Sequence, residues 1–418
     1  MSILMIPFKG FMSLIFKMAE IDKHIDSEYV EGDSYHERIN KYFADRRLTQ
    51  ENFDLLNSKN DLKITKQELC TEDIFYWLIK CEALFSYEIV EYFNQQNIQI
   101  NQLPWTPAHL RLHNYVYIHN KIGKTIFRMY IGGNTAAPDW AWYETKDFYF
   151  PDFDIYNDVT IHYFDGTCEL WNYPEEQFPP VYAHSTVYDE QTNKVYITGG
   201  LGFGDRQRKG ITEIYQLDLE SKDIQQVETF GETPPCLHSH DTKMWNHDSI
   251  EMKGGNILKN GIAIKNLYVW SFNLKTKTWL QQESEKYQHW LITPKDDSNF
   301  LFSDYRILIE YEKENSDQLE GYLQNLVNNN LHVADYKMYT KLYLSTDDMY
   351  LSKTDNWSDF IYTCIVDGQV YSCFEGYNRI EVAFQSSASI EFQNFIINDL
   401  KSKLKLISGN DAIIEKIE

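Results

Sequence analysis

Residues 193–200 read Asn-Lys-Val-Tyr-Ile-Thr-Gly-Gly, and residues 250–255 read Ile-Glu-Met-Lys-Gly-Gly. Each run lies within one copy of a pattern that is written twice between residues 186 and 279. In both copies an apolar hairpin of two strands ends in a double glycine, a loop follows, and a third strand reaches Asp218 or Asn273. Six residues later stands a large apolar residue. This repeat is the strongest indication of the fold.

A third, more divergent copy precedes these two. The strand-like segment 125–131 ends in a double glycine at 132–133, and a second segment, 159–164, leads to the anchor of this copy. The shared landmarks are an Asp or Asn anchor, a closing apolar residue, and an upstream Pro with a His. They are Asp165, Asp218 and Asn273; Trp171, Ile224 and Trp279; and Pro107 with His113, Pro180 with His184, and Pro235 with His238. A period near 50 residues predicts a stacked β array.

The repeat resembles the kelch repeat. The matching features are the double glycines, the hairpin between the third and fourth strands, and the opening His-Ser pair. They lie at 199–200 and 254–255, at 217–224 and 272–279, and at 184–185 and 238–239. Kelch repeats form four-stranded blades, so the resemblance implies a β-propeller over residues 105–282. Only three copies are evident, and Ile224 replaces the usual Trp. Because a closed ring takes at least four blades, a complete and a partial propeller both remain open.

The flanking regions have other patterns. Residues 1–104 are expected to be mainly helical, with helices opening at Thr49 and at Thr71-Glu-Asp73. Residues 283–418 predict an α+β domain, with degenerate blades as the alternative. Its strands are expected at 305–311, 341–344, 360–364, 370–371 and 379–384, and its helices at 317–328 and 390–406. The expected fold class is therefore mainly β: a kelch-like core between a helical and an α+β region.

Charge limits the choice of partners. The chain has 418 residues and a formal net charge of -23. Such a charge repels phosphate backbones, which argues against nucleic acid and favours a basic protein partner. In most acidic proteins the charge serves solubility alone, and this reading stays open.

The cysteines and the first residues both favour a cytoplasmic protein. The six cysteines include no Cys-x-x-Cys pair. In the hairpin that turns at Asp367-Gly368, Cys364 should face Tyr371, so reduced thiols are expected. The apolar first eighteen residues are too short and interrupted to span a membrane, and they make a poor signal peptide. Translation starting at Met18 is an alternative to Met1.

The segment Asn134 to Tyr156 is the candidate binding site for a protein partner. It combines rigid aromatic side chains, which supply binding hot spots, with carboxylates that would attract a basic protein. The candidate contact residues are Asp139, Trp140, Trp142, Tyr143, Glu144, Asp147 and Phe150. The competing reading is that most of these aromatic residues cover the edge of a blade, leaving a few exposed.

His238 and His240 are the candidate metal ligands. Two residues apart on one strand, their side chains would point to the same side. The alternative, which we favour, is that His238 is the structural histidine of the repeat and His240 a surface neighbour, because no metal-binding signature accompanies them.

We therefore expect a non-enzymatic protein-binding module without a cofactor, and in one version an acidic intracellular inhibitor or immunity-type protein. The alternative is a propeller enzyme that acts on a small molecule, with a metal at His238 and His240.

Overall fold

The protein is described from a computed structural model. The structure describes residues 49–61, 66–80, 98, 105, 107, 112–119, 125–134, 155–202, 210–259, 262–282, 286–295, 300, 302–314, 316, 318–328, 336–345, 350–353, 360–376, 379–409 and 411–417. The chain divides into two compact units, Met1–Arg208 with Ile214–Val227 and Lys209–Glu213 with Glu228–Glu418. Within the described residues, no helix combines the length and apolar character needed to cross a membrane.

The protein is mainly β, and each copy of the repeat forms an antiparallel sheet with its strands in chain order. The first sheet contains β2 (Leu112–His119), β3 (Thr125–Asn134), β4 (Ile155–Tyr163) and β5 (Cys168–Asn172). A short strand, β1 (Glu68–Leu69), pairs with the outer edge of β5. The strands expected at 125–131 and 159–164 are confirmed.

The second and third copies repeat this arrangement with four strands each. The strands of the second copy are β6 (Ser185–Asp189), β7 (Lys194–Thr198), β8 (Ile214–Asp218) and β9 (Ile224–Gln226). Those of the third are β11 (Asp241–Asn246), β12 (Ser249–Lys253), β15 (Trp270–Asn273) and β16 (Thr278–Gln281). The sequence period thus corresponds to one sheet per copy.

The Asp or Asn anchor of each copy closes the turn between the third and fourth strands. Oδ1 of Asp218 accepts hydrogen bonds from the backbone N–H groups of Glu220 and Ser221, each at 3.0 Å. Oδ1 of Asn273 accepts from the N–H groups two and three residues later, at 3.0 and 2.8 Å. Oδ1 of Asp165 accepts from the Thr167 N–H at 2.9 Å. The anchors recur because a short oxygen-bearing side chain can hold such a turn.

The second glycine of each of the two clear copies recurs because other atoms of the chain pass close to it. Gly200 has a φ of +97°, and a Cβ there would lie 2.8 Å from the Cβ of His184. At Gly255, with a φ of +68°, a Cβ would lie 2.4 Å from the carbonyl oxygen of His238. Both positions therefore require the positive φ and the small size of glycine.

The described residues of the first unit form two cores. The first and second sheets share one core, in which Met129, Ile161, Val195 and Leu217 are fully buried. The other core packs α1 (Gln50–Asp61) and α2 (Asp73–Lys80) together with Trp105 and Leu170. Both helices begin where the sequence predicts, since the Thr49 hydroxyl accepts the Asn52 N–H at 3.3 Å and α2 follows Thr71-Glu-Asp73.

The end of the chain forms a six-stranded antiparallel sheet. Its strands are β17 (Tyr287–Pro294), β18 (Tyr350–Lys353), β19 (Phe360–Val366), β20 (Gln369–Glu375), β21 (Ile380–Gln385) and β22 (Ala412–Ile417). They lie side by side in the order β18-β19-β20-β21-β17-β22. The helices are α3 (Phe302–Lys313), α4 (Gln318–Asn328), α5 (Ile390–Ser408) and the 3-10 helix Tyr336–Lys341. The expected helices α4 and α5 and the strands at β19, β20 and β21 are confirmed.

Two strand predictions in this region are wrong. Residues 305–311 lie in α3, because Phe302, Tyr305 and Leu308 repeat every three residues and bury one helical face. Lys341 ends the 3-10 helix and residues 342–344 follow it, and the Leu342 N–H donates to the Tyr339 carbonyl oxygen at 3.0 Å. β-branched and aromatic residues favour strands in both segments, but tertiary packing determines their secondary structure here.

The hairpin between β19 and β20 forms as predicted. Cys364 pairs with Tyr371, and Asp367 and Gly368 make the turn with φ values of 50° and 77°. Cys364 and Cys373 form no disulfide, and neither do the other cysteines that the structure describes. A smaller sheet joins β10 (Cys236–His238), β13 (Asn256–Lys259) and β14 (Ile262–Lys265).

Candidate functional site

The predicted partner-binding residues of the segment Asn134 to Tyr156 lie outside the described residues. They are Asp139, Trp140, Trp142, Tyr143, Glu144, Asp147 and Phe150. The structure does fix both ends of the loop. Asn134 pairs with Ile155, and Gly133 pairs with Tyr156, so residues 135–154 leave and re-enter the sheet at one end of the β3–β4 pair.

The same connection, between the second and third strands, is also long in the other copies. It spans residues 199–213 in the second copy and residues 254–269 in the third, where it contains the hairpin of β13 and β14. The Lys265 N–H donates to both carboxylate oxygens of Glu381 at 3.0 Å. Arg379 donates to the Ala263 carbonyl oxygen at 3.0 Å. In the third copy this connection is therefore a contact element, which docks on the six-stranded sheet.

His238 and His240 do not share a strand. β10 ends at His238, Ser239 has a φ of 53°, and β11 begins at Asp241, so the expected alternation is interrupted. The expectation that His240 is a surface neighbour is wrong, because only 4% of it is exposed.

His240, and not His238, is the structural counterpart of His184. Ala183 and Ser239 both have a φ of 53°, and each is followed by a buried histidine and then by the first strand of the sheet. The spacing of the repeat could not distinguish the two histidines, since they differ by only two positions.

Burial makes both imidazoles poor bases. Desolvation, with a smaller contribution from nearby Lys265, lowers the pKa of His238 to about 4. Desolvation, with a smaller contribution from His238, lowers the pKa of His240 to about 3. Both rings are neutral at pH 7, the form in which histidine binds metal. Across the part of the chain that the structure describes, no three His, Cys, Asp or Glu side chains come together as a metal site.

A buried polar cluster around Glu375 was missed by the sequence reasoning. Glu375 is 1% exposed, and its carboxylate accepts hydrogen bonds from Tyr339 at 2.9 and 2.8 Å and from Tyr343 at 2.5 Å. Arg306 donates to the same carboxylate and, at 3.0 Å, to the Tyr339 hydroxyl. Tyr362 lies 3.2 Å from Tyr339, oxygen to oxygen.

The buried environment of the cluster shifts the pKa values of its side chains. Desolvation raises the pKa of Glu375, opposed by Arg306 and the tyrosine hydroxyls. Burial and the neighbouring carboxylate raise the pKa of Tyr362 to about 12. Such groups mark functional sites in many proteins, although structural networks produce them too. The sequence did contain one signal for this cluster. Glu375 continues the alternation of Tyr371 and Cys373, which places a glutamate on the buried face of β20.

A second buried pair lies on the opposite face of the same sheet. His289 Nδ1 is 2.7 Å from Oε1 of Glu381, and both residues are 3% exposed. Because Glu381 also accepts the Lys265 N–H, this pair holds β14 on the sheet. The pair thus supports the contact made by the third connection.

Comparison with known proteins gives little further guidance. No protein-family model and no curated protein matches the sequence. Among solved structures, one described as "Structure of YjhT" is 14% identical, covering 51% of this chain and 68% of that chain with a TM-score of 0.20. A TM-score this low supports no inference about fold or function.

Proposed function

We propose that the protein is a non-enzymatic protein-binding module in which the sheets of the three repeat copies are kelch-like blades. It binds a basic protein partner through the loop between Asn134 and Tyr156. Each copy is a four-stranded antiparallel sheet with its strands in chain order, which is compatible with a blade. The landmark residues of the repeat make turns and close contacts, so the loops between strands are left to carry the function.

The observation that carries this proposal is the use of the second-to-third strand connection. In the third copy it reaches the six-stranded sheet through Lys265 and Ala263 and forms a contact between elements. In the first copy the same connection is 20 residues long, from 135 to 154, and begins and ends at paired residues of β3 and β4. By internal analogy, the first connection is also a contact element, and its partner is another protein.

The composition of the loop indicates the class of partner. Trp140, Trp142 and Tyr143 are the residue types that most often dominate binding energy at protein interfaces. Asp139, Glu144 and Asp147 place negative charge beside them, in a chain of net charge -23. Such a surface attracts a basic protein over a distance and fixes it with aromatic contacts. An inhibitor or immunity-type protein that masks a basic toxin or enzyme has these properties.

An affinity capture tests the proposal. The full chain is immobilised, incubated with extract of its native cells, and the bound proteins are identified by mass. We expect one basic protein to be retained by the wild type and lost with Trp140→Ala plus Trp142→Ala. The control is Trp245→Ala, because Trp245 is 57% exposed on β11 in the third sheet, outside the loop. Equal capture by the wild type and the double variant would remove the loop from the proposal.

One observation favours the alternative enzyme. His238 and His240 are buried beside the double glycine of the third copy, and both rings are neutral at pH 7, the protonation state in which histidine binds a metal. Stoichiometric metal in the purified protein that is lost in His240→Ala would support this function. A metal-free preparation that cannot be loaded with Zn²⁺ would count against it.

A further inference from the structure

The carboxylate of Glu375 is surrounded by donors that belong to other elements. Arg306 is on α3, Tyr339 is on the 3-10 helix, Tyr343 follows that helix, and Tyr362 is on β19. Three of them donate directly to the carboxylate, while Tyr362 contacts the Tyr339 hydroxyl. The donor set is therefore assembled by tertiary packing and not by the strand that carries Glu375.

The donors are also held by contacts that do not involve Glu375. The rings of Tyr343 and Tyr362 are stacked with centroids 4.4 Å apart. The ring of Tyr339 lies 6.0 Å from that of Tyr305, which is fully buried in the core. Arg306 donates to the Tyr339 hydroxyl at 3.0 Å. These contacts do not depend on the identity of the anion.

Burying a carboxylate is costly unless charge and hydrogen bonds compensate for the lost water. Here one guanidinium and two phenolic hydroxyls do so, and charge-assisted hydrogen bonds are the stronger kind. The side chain of Glu375 is thus bound by this group of residues in the way that a protein binds a small anionic ligand.

We propose that Arg306, Tyr339, Tyr343 and Tyr362 form a binding site for a small carboxylate, and that the side chain of Glu375 is its built-in occupant. The occupied site fixes the segment Tyr336 to Ser345 against the six-stranded sheet. A free monocarboxylate binds there when the side chain of Glu375 is shortened. None of its residues belongs to the loop proposed to bind a protein partner.

Acetate has the right size for the test. Glu375→Ala removes Cγ and the carboxylate and keeps Cβ, so the atoms removed correspond to those of acetate. Glu375→Gln is the matched control, because its amide fills the same space without the charge. Acetamide is the matched control for the ligand, and chloride controls for ionic strength.

The measurement is calorimetric melting of the full chain with increasing sodium acetate. We expect the transition of Glu375→Ala to lie about 10 °C below that of the wild type, from the usual cost of leaving a buried charge unpaired. Acetate should raise it in a saturable manner, because a ligand that binds only the folded state stabilises it. Acetamide and chloride should not, and neither the wild type nor Glu375→Gln should respond to acetate.

The proposal is overturned if acetate raises the transition of Glu375→Ala no more than chloride does, or if Glu375→Gln responds equally. If Glu375→Ala does not fold in plain buffer, it is refolded from denaturant in acetate and in acetamide. Recovery of the near-ultraviolet circular dichroism in acetate alone supports the site, whereas no recovery in either solution contradicts it.

Discussion

At Gly255 the backbone leaves no room for a side chain, although its neighbour Gly254 has the same handedness. The φ values are +68° and +66°, yet a Cβ on Gly255 would lie 2.4 Å from the His238 carbonyl oxygen, and one on Gly254 would meet nothing within 4 Å. Gly254→Ala should therefore cost about 1 kcal/mol for a left-handed backbone alone. Gly255→Ala should cost about 3 kcal/mol or more, because overpacking adds to that strain. Denaturant unfolding of both variants measures the difference, and equal losses would contradict the close approach.

The buried histidines predict how stability depends on pH. The folded pKa values of His238 and His240, about 4 and about 3, lie below the ordinary value of 6.5. Between these values the unfolded chain binds more protons, so stability is fully present above pH 6.5 and is lost as the pH falls. Each histidine should cost about 2 kcal/mol between pH 7 and pH 5. Unfolding experiments at both pH values should show this loss in the wild type and a smaller one in His238→Gln plus His240→Gln. An unchanged loss in the variant would refute the assignment.

Two copies of the repeat have different residues, Asp218 and Asn273, at the same structural position. Asp218 and Asn273 make the same pair of backbone hydrogen bonds in successive copies. Asp218→Asn should therefore leave the free energy of unfolding nearly unchanged. Asp218→Ala should lower it by about 1 kcal/mol, the usual loss for a side-chain cap of backbone N–H groups. Thermal melting distinguishes the two, and an equal loss in both variants would show that the charge matters and not the turn.

The elements show which parts of the fold local sequence can predict. The strands of the repeat and the helices α4 and α5 follow from their periodicity, because one face of each is buried. The helix α3 does not, because Tyr305, Ile307 and Ile309 favour strands and only packing decides otherwise. The partners of Glu375 were also beyond reach, since Arg306 and Tyr343 lie 69 and 32 positions away in sequence. Whether His238 or His240 corresponds to His184 depended on the backbone at Ser239, which spacing does not reveal.

For the molecule as a whole, the proposed function depends on the net charge and on one loop. A net charge of -23 and the carboxylates at Asp139, Glu144 and Asp147 should accelerate association with a basic partner. Neutralising the three with Asp139→Asn, Glu144→Gln and Asp147→Asn should slow association about tenfold at low salt and leave dissociation nearly unchanged. Stopped-flow mixing with the captured partner measures both rates. A change confined to dissociation would contradict the steering role.

Binding of a basic protein by this loop is tested by the affinity of the captured partner for the full chain, measured by titration calorimetry at low and at high salt. The account predicts one partner per chain and binding that weakens as salt screens the charges. It also predicts that Trp140→Ala plus Trp142→Ala weakens binding at least thirtyfold, or about 2 kcal/mol, at both salt concentrations. An affinity independent of salt and unchanged in the double variant would contradict the proposal that this loop binds a basic protein.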